Sequence, residues 1–181
     1  MKIVALGHRK KVGKDTFARF IVRHIRMQHP SIKVKLEGFA DALKDVAYRL
    51  YAWTGLQPGS YYELHPEDKD KLLISIGKTP RALWIVLAKA LRDFDPKIFA
   101  DALLKTRDCD VLIIKDLRYY VEINELPPGT LIARIERETD EPLDAPDGEL
   151  SNYNWPMTIY NNGSVQELYK KAIDFTEDYL I

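Results

Sequence analysis

Apolar positions along the chain fall into two alternating kinds of pattern. Lys2 to Leu6 (KIVAL) is a short β-branched run, and after a turn containing glycine and lysine, Phe17, Phe20, Ile21 and Ile25 recur at helical spacing. Strand, loop and helix follow in that order. Ile32 to Leu36 (IKVKL) alternates as a strand does, and from Ala40 the positions Leu43, Val46, Ala47 and Leu50 mark one face of a second helix. Pro58 to Pro66 has loop composition; Leu72, Leu73 and Ile76 predict a short helix, and Ala82 to Leu91 a longer one with Pro80 in its first turn. Asp95-Pro96 opens a helix with Ile98, Phe99, Ala102 and Leu103 inward. Val111 to Ile114 reads as a fully buried strand, with Asp116 just past its end. Pro127-Pro128-Gly129 is a turn, Leu131 to Ile135 a strand, and Glu138 to Pro156 a polar excursion rich in proline and acid. Met157 to Tyr160 predicts a last short strand, Asn161-Asn162-Gly163 a turn, and Ser164 the N-cap of a closing helix through Tyr179.

This alternation implies an α/β fold of three layers, α/β/α, with a mainly parallel sheet covered on both faces. At 181 residues, without a repeat or low-complexity tract, one continuous domain is the expectation. In such folds ligands bind at the carboxyl ends of the strands. That rule directs attention to the residues after Leu6, Leu36 and Ile114.

Charge narrows the candidate partners. Lys plus Arg number 27 and Asp plus Glu 27, so no global positive field exists to hold a nucleic-acid backbone, and an anion site must be local. No window has the apolar length of a membrane span. The single cysteine, Cys109, excludes an internal disulfide, and the start MKIVALG lacks the apolar core of a secretory signal; a cytoplasmic protein is expected.

The segment from Gly7 to Thr16 (GHRKKVGKDT) follows a strand and opens a helix, the context that makes a Gly-Lys pattern a phosphate-loop candidate. Backbone N–H groups of the turn and first helical residues converge on one point, the helix dipole adds partial positive charge, and Lys14 supplies a full one. His8, Val12, Gly13, Lys14, Asp15 and Thr16 are therefore the candidate ATP-binding residues. Two departures stand out: His8 occupies the place of the usual first glycine, and Asp15 that of the usual magnesium-binding Ser or Thr, with Thr16 after it. Asp116, at the end of a buried strand, is the candidate carboxylate beside phosphate-bound magnesium, so Asp15, Thr16 and Asp116 form the candidate metal set.

Moving a phosphoryl group between charged molecules also requires cations for the acceptor and for the transferred group, and arginine's rigid fork suits both. Candidates are Arg81 at a helix start, Arg118 two residues after Asp116, and Arg134 and Arg137 before the polar excursion. An isolated arginine is by default a solvated surface charge. Phe39, Asp41 and Lys44 follow the second strand and are candidates for the acceptor pocket, Phe39 being equally a core residue.

The Gly-Lys-Asp-Thr ending of the loop, then Gly38-Phe39-Ala40-Asp41-Ala42-Leu43-Lys44, then Asp116-Leu117-Arg118-Tyr119-Tyr120-Val121-Glu122 resemble the bacteriophage deoxynucleoside monophosphate kinases. The resemblance continues in Ile76 to Arg81, in Arg134-Ile135-Glu136-Arg137 and in Ile159 to Ser164, and its order along the chain carries more than any single segment. It implies a single phosphate-loop nucleotide-kinase domain spanning residues 1–181. It also implies transfer of the terminal phosphate of ATP to a deoxynucleoside 5′-monophosphate with Mg2+, and a lid around residues 137–156. Lys14, Arg118 and Arg137 would then be catalytic, with Phe39, Asp41, Lys44, Arg81 and Arg118 on the acceptor. A kinase of another small phosphorylated metabolite, and a nucleotide binder without catalysis, are the alternatives. The base accepted and the oligomeric state stay open, a homodimer included.

Other chemistry-bearing residues suggest less. His8, His24, His29 and His65 are scattered and make no zinc pattern, so surface or loop positions are expected. Cys109 is expected to be a structural thiol. Trp53 and Trp84 are expected in helical core positions, Trp155 fits core or base stacking, and Tyr61-Tyr62 fits base contact or packing.

Overall fold

The computed structural model describes residues 1–7, 9, 11–105, 108–138 and 149–181. The chain forms two compact units, one from Met1–Gly38 with Thr106–Ile181, the other from Phe39–Lys105.

The first unit is built on a sheet of five parallel strands in the order β2-β3-β1-β4-β5: β1 (Lys2–Gly7), β2 (Val34–Glu37), β3 (Val111–Leu117), β4 (Leu131–Glu136) and β5 (Met157–Tyr160). The expected parallel α/β sheet is present, flanked by helices. Central β1 is buried from Ile3 to Gly7 and β3 from Val111 to Ile114, as continuous apolar runs require, while edge strands β2 and β5 are only partly buried. Val4 and Leu6 point into a core closed by helix α1 (Lys14–Gln28) and the last helix of the chain, α7 (Val165–Tyr179). Phe17, Ile21 and Ile25 of α1 and Leu168, Ala172 and Phe175 of α7 fill it, and the Phe17 and Phe175 rings meet edge to face at 5.7 Å. Ile3, Ala5, Leu112 and Ile114, on the opposite face, are buried as well, so both faces are covered. Ser164 caps α7 as expected: its hydroxyl accepts from Glu167 N at 3.2 Å, and its own N–H donates to Glu167 Oε2 at 2.6 Å.

Two strand boundaries differ from the sequence pattern. β2 starts at Val34, not Ile32, because Lys33 is clamped to Asp110: its N–H donates to the Asp110 carboxylate and its carbonyl accepts the Asp110 N–H, both at 2.8 Å. β3 continues through Leu117, which places Asp116 inside the strand rather than beyond it; the register slips by a bulge so that Gly7 faces Leu117.

The second unit contains α2 (Asp41–Tyr51), α3 (Tyr61–Leu64), α4 (Pro80–Phe94) and α5 (Ile98–Leu104). Its core holds Ala47, Leu56, Tyr62, Leu73 and Leu83, with Trp84 packed on them and edge-on to Tyr62 at 5.1 Å. Thr79 caps α4 and Pro80 opens it, as the sequence predicts. The short helix expected at Leu72 to Ile76 is absent. Leu73 N donates to Lys78 O at 2.8 Å in an isolated antiparallel bridge, and the single turn between them, with Gly77 N on Leu73 O at 3.0 Å, is closed by Gly77 at φ 62°, so it does not continue as a helix. Conversely, the expected loop from Pro58 to Pro66 includes α3. Trp53 is not in a core: α2 ends at Tyr51, the following tight turn rotates the indole off the inward face, and 70% of it is exposed. Tyr62 is buried with its hydroxyl accepting from Gln57 N, and Tyr61 donates to Asp68 at 2.6 Å, so the tyrosine pair packs within this unit.

The connection leaving β1 passes through α1 to β2 on one side, and that leaving neighbouring β3 passes through the short helix α6 (Tyr120–Glu125) to β4 on the other. The loops therefore part at the carboxyl ends of β1 and β3, where open parallel sheets form their ligand crevice.

Candidate nucleotide site

The turn after β1 is held in a strained, inward-facing shape. Lys11 has φ 59° and Gly13 φ 97°, both left-handed, so the chain reverses around the buried Val12 side chain before α1 begins at Lys14. A left-handed lysine costs about 1–2 kcal/mol, which the surroundings must offset. The N-cap position of α1 is Gly13, which has no side chain to cap the first turn, and N–H groups at a helix start are of the kind that bind phosphate oxygens. Lys14 is buried, and its Nζ donates to the carbonyl of Arg9 across the turn. The ammonium thus lies against the backbone of the turn that precedes α1. Asp15 and Thr16, next in the helix, are exposed, and His8 lies outside the described residues.

A residue from the other end of the chain fixes this turn. Asn161, directly after β5, is 7% exposed; its side-chain amide donates to Val12 O at 2.8 Å, and its backbone N–H donates to Glu136 O at 2.7 Å. Gly13 is required opposite it, since a Cβ there would lie 2.5 Å from Asn161 Nδ2. Gly7 is packed in the same way: a Cβ would collide with the Trp155 indole, which closes an edge-to-face row with Tyr153 and Tyr120. Trp155 is therefore a packing residue under the root of the loop.

At the neighbouring strand end, the Asp116 carboxylate lies against Gly38, where a Cβ would meet Oδ2 at 2.6 Å and Oδ1 at 2.8 Å. Glycine at this position is what gives the acid its place. Two residues on, the turn carrying Arg118 is held by Glu122, 3% exposed, whose Oε2 accepts from Arg118 N at 2.8 Å and Tyr119 N at 3.1 Å. Nothing in the spacing of the sequence singles out Asn161 or Glu122, because asparagine in a turn and glutamate in a first helical turn are both ordinary.

The remaining cations are placed unequally. Arg134 lies on the sheet, with Nε on Thr158 Oγ1 at 3.0 Å and the guanidinium on Glu136 at 3.0 Å, so it is engaged by its own strand and the next. Arg137 follows β4 and is exposed at the root of the expected lid. Half of that lid, residues 139–148, lies outside the described residues. In the second unit Arg81 forms a two-pronged pair with Asp70, at 2.7 and 3.0 Å, which holds the Asp70 carboxyl below the usual range. Lys44 bonds Asp41 at 3.0 Å, its stem running over Gly59, and Phe39 is 2% exposed, a core position.

Of the candidate residues, the structure brings Val12, Gly13 and Lys14 into one turn, sets Asp15 and Thr16 in the helix it opens, and places Asp116 on the strand beside β1. No helix of the described residues is long and apolar enough to cross a membrane. No protein-family model matches the chain, and no curated protein matches it in sequence.

Proposed function

We propose that the protein is a phosphate-loop kinase that transfers the γ-phosphate of ATP to a deoxynucleoside 5′-monophosphate. The observation that carries this reading is the buried Lys14 after a left-handed turn at a helix start with glycine at its N-cap, beside a carboxylate-bearing strand end at the crevice of a parallel sheet.

In this reading Lys14 meets the triphosphate, and the loop and α1 N–H groups hold the donor phosphates. Asp116, with Asp15 or Thr16, would hold the Mg2+ that such nucleotides carry, and the ion would supply charge neutralisation on the last two phosphates; a carboxylate and a hydroxyl suit it. An acceptor phosphate, with a second pKa of about 6, is already largely ionised at neutral pH, so no strong general base is needed. Positioning and charge then carry the rate. Arg118 is assigned to the acceptor phosphate and Arg137 to the transferring group.

A coupled assay offering ATP against dGMP, dTMP, dCMP and dAMP, with ribonucleotides as controls, tests the proposal. Turnover with at least one deoxynucleotide, lost in Lys14→Ala, is expected. ATP binding without transfer to any of them identifies a binder or a kinase of another phosphorylated molecule, and near-normal turnover in Lys14→Ala overturns the scheme.

A further inference from the structure

We propose that His24, His29 and Glu177 form a binding site for a zinc-type divalent cation, separate from the nucleotide site. The two histidines, expected at unrelated surface or loop positions, instead converge. His24 Nε2 lies 2.5 Å and His29 Nε2 3.2 Å from the same oxygen, Glu177 Oε1, and the three ligand atoms all fall within 4.8 Å of one another.

The fold produces this convergence. α1 carries His24 in its last turns and ends at Gln28, with His29 as its C-cap in a non-helical conformation; the two rings stand 6.0 Å apart at 65°. α7 packs along α1 through Phe17 and Phe175, which brings Glu177 over both imidazoles. The His24 side chain is only 10% exposed, whereas His29 is 28% and Glu177 46% exposed, so the cluster has a buried anchor and an open side where water can complete a coordination shell.

The donor set selects the ion. Two imidazole nitrogens and one carboxylate oxygen suit Zn2+, Co2+ or Ni2+, while Mg2+ and Ca2+ require a shell of oxygens. Ligand atoms of a tetrahedral zinc ion stand about 3.3 Å apart, given bonds of about 2.0–2.1 Å. The His29 separation already matches this, and the His24 contact needs to open by less than an ångström. The ion would take the place of the two imidazole contacts now made to Glu177, and would join the ends of α1 and α7. Lys14 and His24 are ten residues apart on α1, about 15 Å along its axis, so the cluster is not part of the phosphate loop.

The experiment uses the full chain, freed of affinity tag and stripped with chelator, titrated with Zn2+ against a chromophoric competitor and with Co2+ by visible absorption. One equivalent is expected to bind, with a rise in Tm of roughly 5 °C at a hundredfold excess over Kd. Glu177→Gln and His29→Ala, both at accessible positions, are each expected to weaken binding by about tenfold or more and to remove the Co2+ absorption. Cys109→Ser is expected to change nothing. Magnetic resonance of the wild-type histidines gives a readout independent of variant folding: substoichiometric Zn2+ should shift His24 and His29 and leave His65 unmoved. Absence of stoichiometric binding, wild-type affinity in both variants, or shifts confined to other residues would overturn the site.

Discussion

Asn161, at the end of β5, donates its side-chain amide to the carbonyl of Val12, at the apex of the turn after β1. A residue 149 positions away thereby holds a turn whose own backbone, at Lys11 and Gly13, lies in a conformation most side chains avoid. Asn161→Ala leaves a buried carbonyl without this donor, a loss of about 1–3 kcal/mol, and frees the turn to relax. ATP affinity is expected to fall about tenfold or more in calorimetric titration while the helical circular dichroism is retained. Asn161→Asp should be no better, because a carboxylate cannot donate to a carbonyl. Unchanged affinity in both would remove Asn161 from the donor site.

Gly38 and Asp116 make the second pair on which the site depends. Alanine at 38 would place its Cβ 2.6 Å from Asp116 Oδ2, so the carboxylate must swing away. If Asp116 serves the magnesium, Gly38→Ala should raise the Mg2+ concentration needed for half-maximal turnover, with ATP binding in the absence of metal little changed. Asp116→Asn should lower kcat by about 10²-fold or more. A Gly38→Ala enzyme with a wild-type Mg2+ profile would place the metal elsewhere.

The parts of this fold that could be read in advance are those with local causes. The apolar run at Val111 to Ile114, the Thr79-Pro80 start of α4 and the Ser164 and Glu167 cap of α7 each carry their own signal within a few residues. The misreadings arise where a distant or conformational cause dominates. Leu72, Leu73 and Ile76 have helical spacing, but Gly77 in the left-handed region turns them into a bridge. Trp53 falls on the helical face by count and off it because α2 stops at Tyr51. In the site, Lys14 and Asp116 were legible from strand-loop context. Asn161 and the meeting of His24, His29 and Glu177 depend on pairings between segments far apart in sequence, which no spacing encodes, whereas Glu122 acts locally, three and four residues from the N–H groups it receives, in a capping box without the usual Ser or Thr.

Asp68, Asp70, Glu167 and Glu177 contribute to the acid limit of stability. Asp68 is lowered first by Lys71 and then by Tyr61, Asp70 by Arg81, Glu167 by the Ser164 N–H and hydroxyl, and Glu177 by His24 and then His29. A carboxylate with a depressed folded pKa contributes stability that is complete above its ordinary value, 3.8 for aspartate and 4.5 for glutamate, and is lost as pH falls through the folded value. Denaturation midpoints should therefore change little from these groups between about pH 7 and 5 and drop below about pH 4. Asp70→Asn should flatten part of that drop without changing the neutral plateau by much, since the pair with Arg81 is largely exposed. A drop of the same size in the variant would show that this pair contributes nothing at low pH.

Glu122 offers a way to separate the acceptor side from the donor side. Its buried carboxylate receives the N–H groups of Arg118 and Tyr119, so it positions the backbone from which the Arg118 side chain extends and touches no nucleotide itself. Glu122→Gln keeps an acceptor oxygen of nearly the same shape but gives up the charge-assisted bonds, which are roughly twice as strong as neutral ones. The turn should loosen without unfolding the protein. Arg118, if it binds the acceptor phosphate, would then be less well aimed, so KM for the deoxynucleotide should rise several-fold while ATP affinity stays at the wild-type value. Arg118→Lys should raise the same KM further, because an ammonium cannot form the two-pronged contact. This pattern is the reverse of that expected for Asn161→Ala. Should Glu122→Gln and Arg118→Lys instead weaken ATP binding and leave the acceptor KM unchanged, Arg118 would belong to the donor phosphates, and the acceptor assignment would pass to other cations.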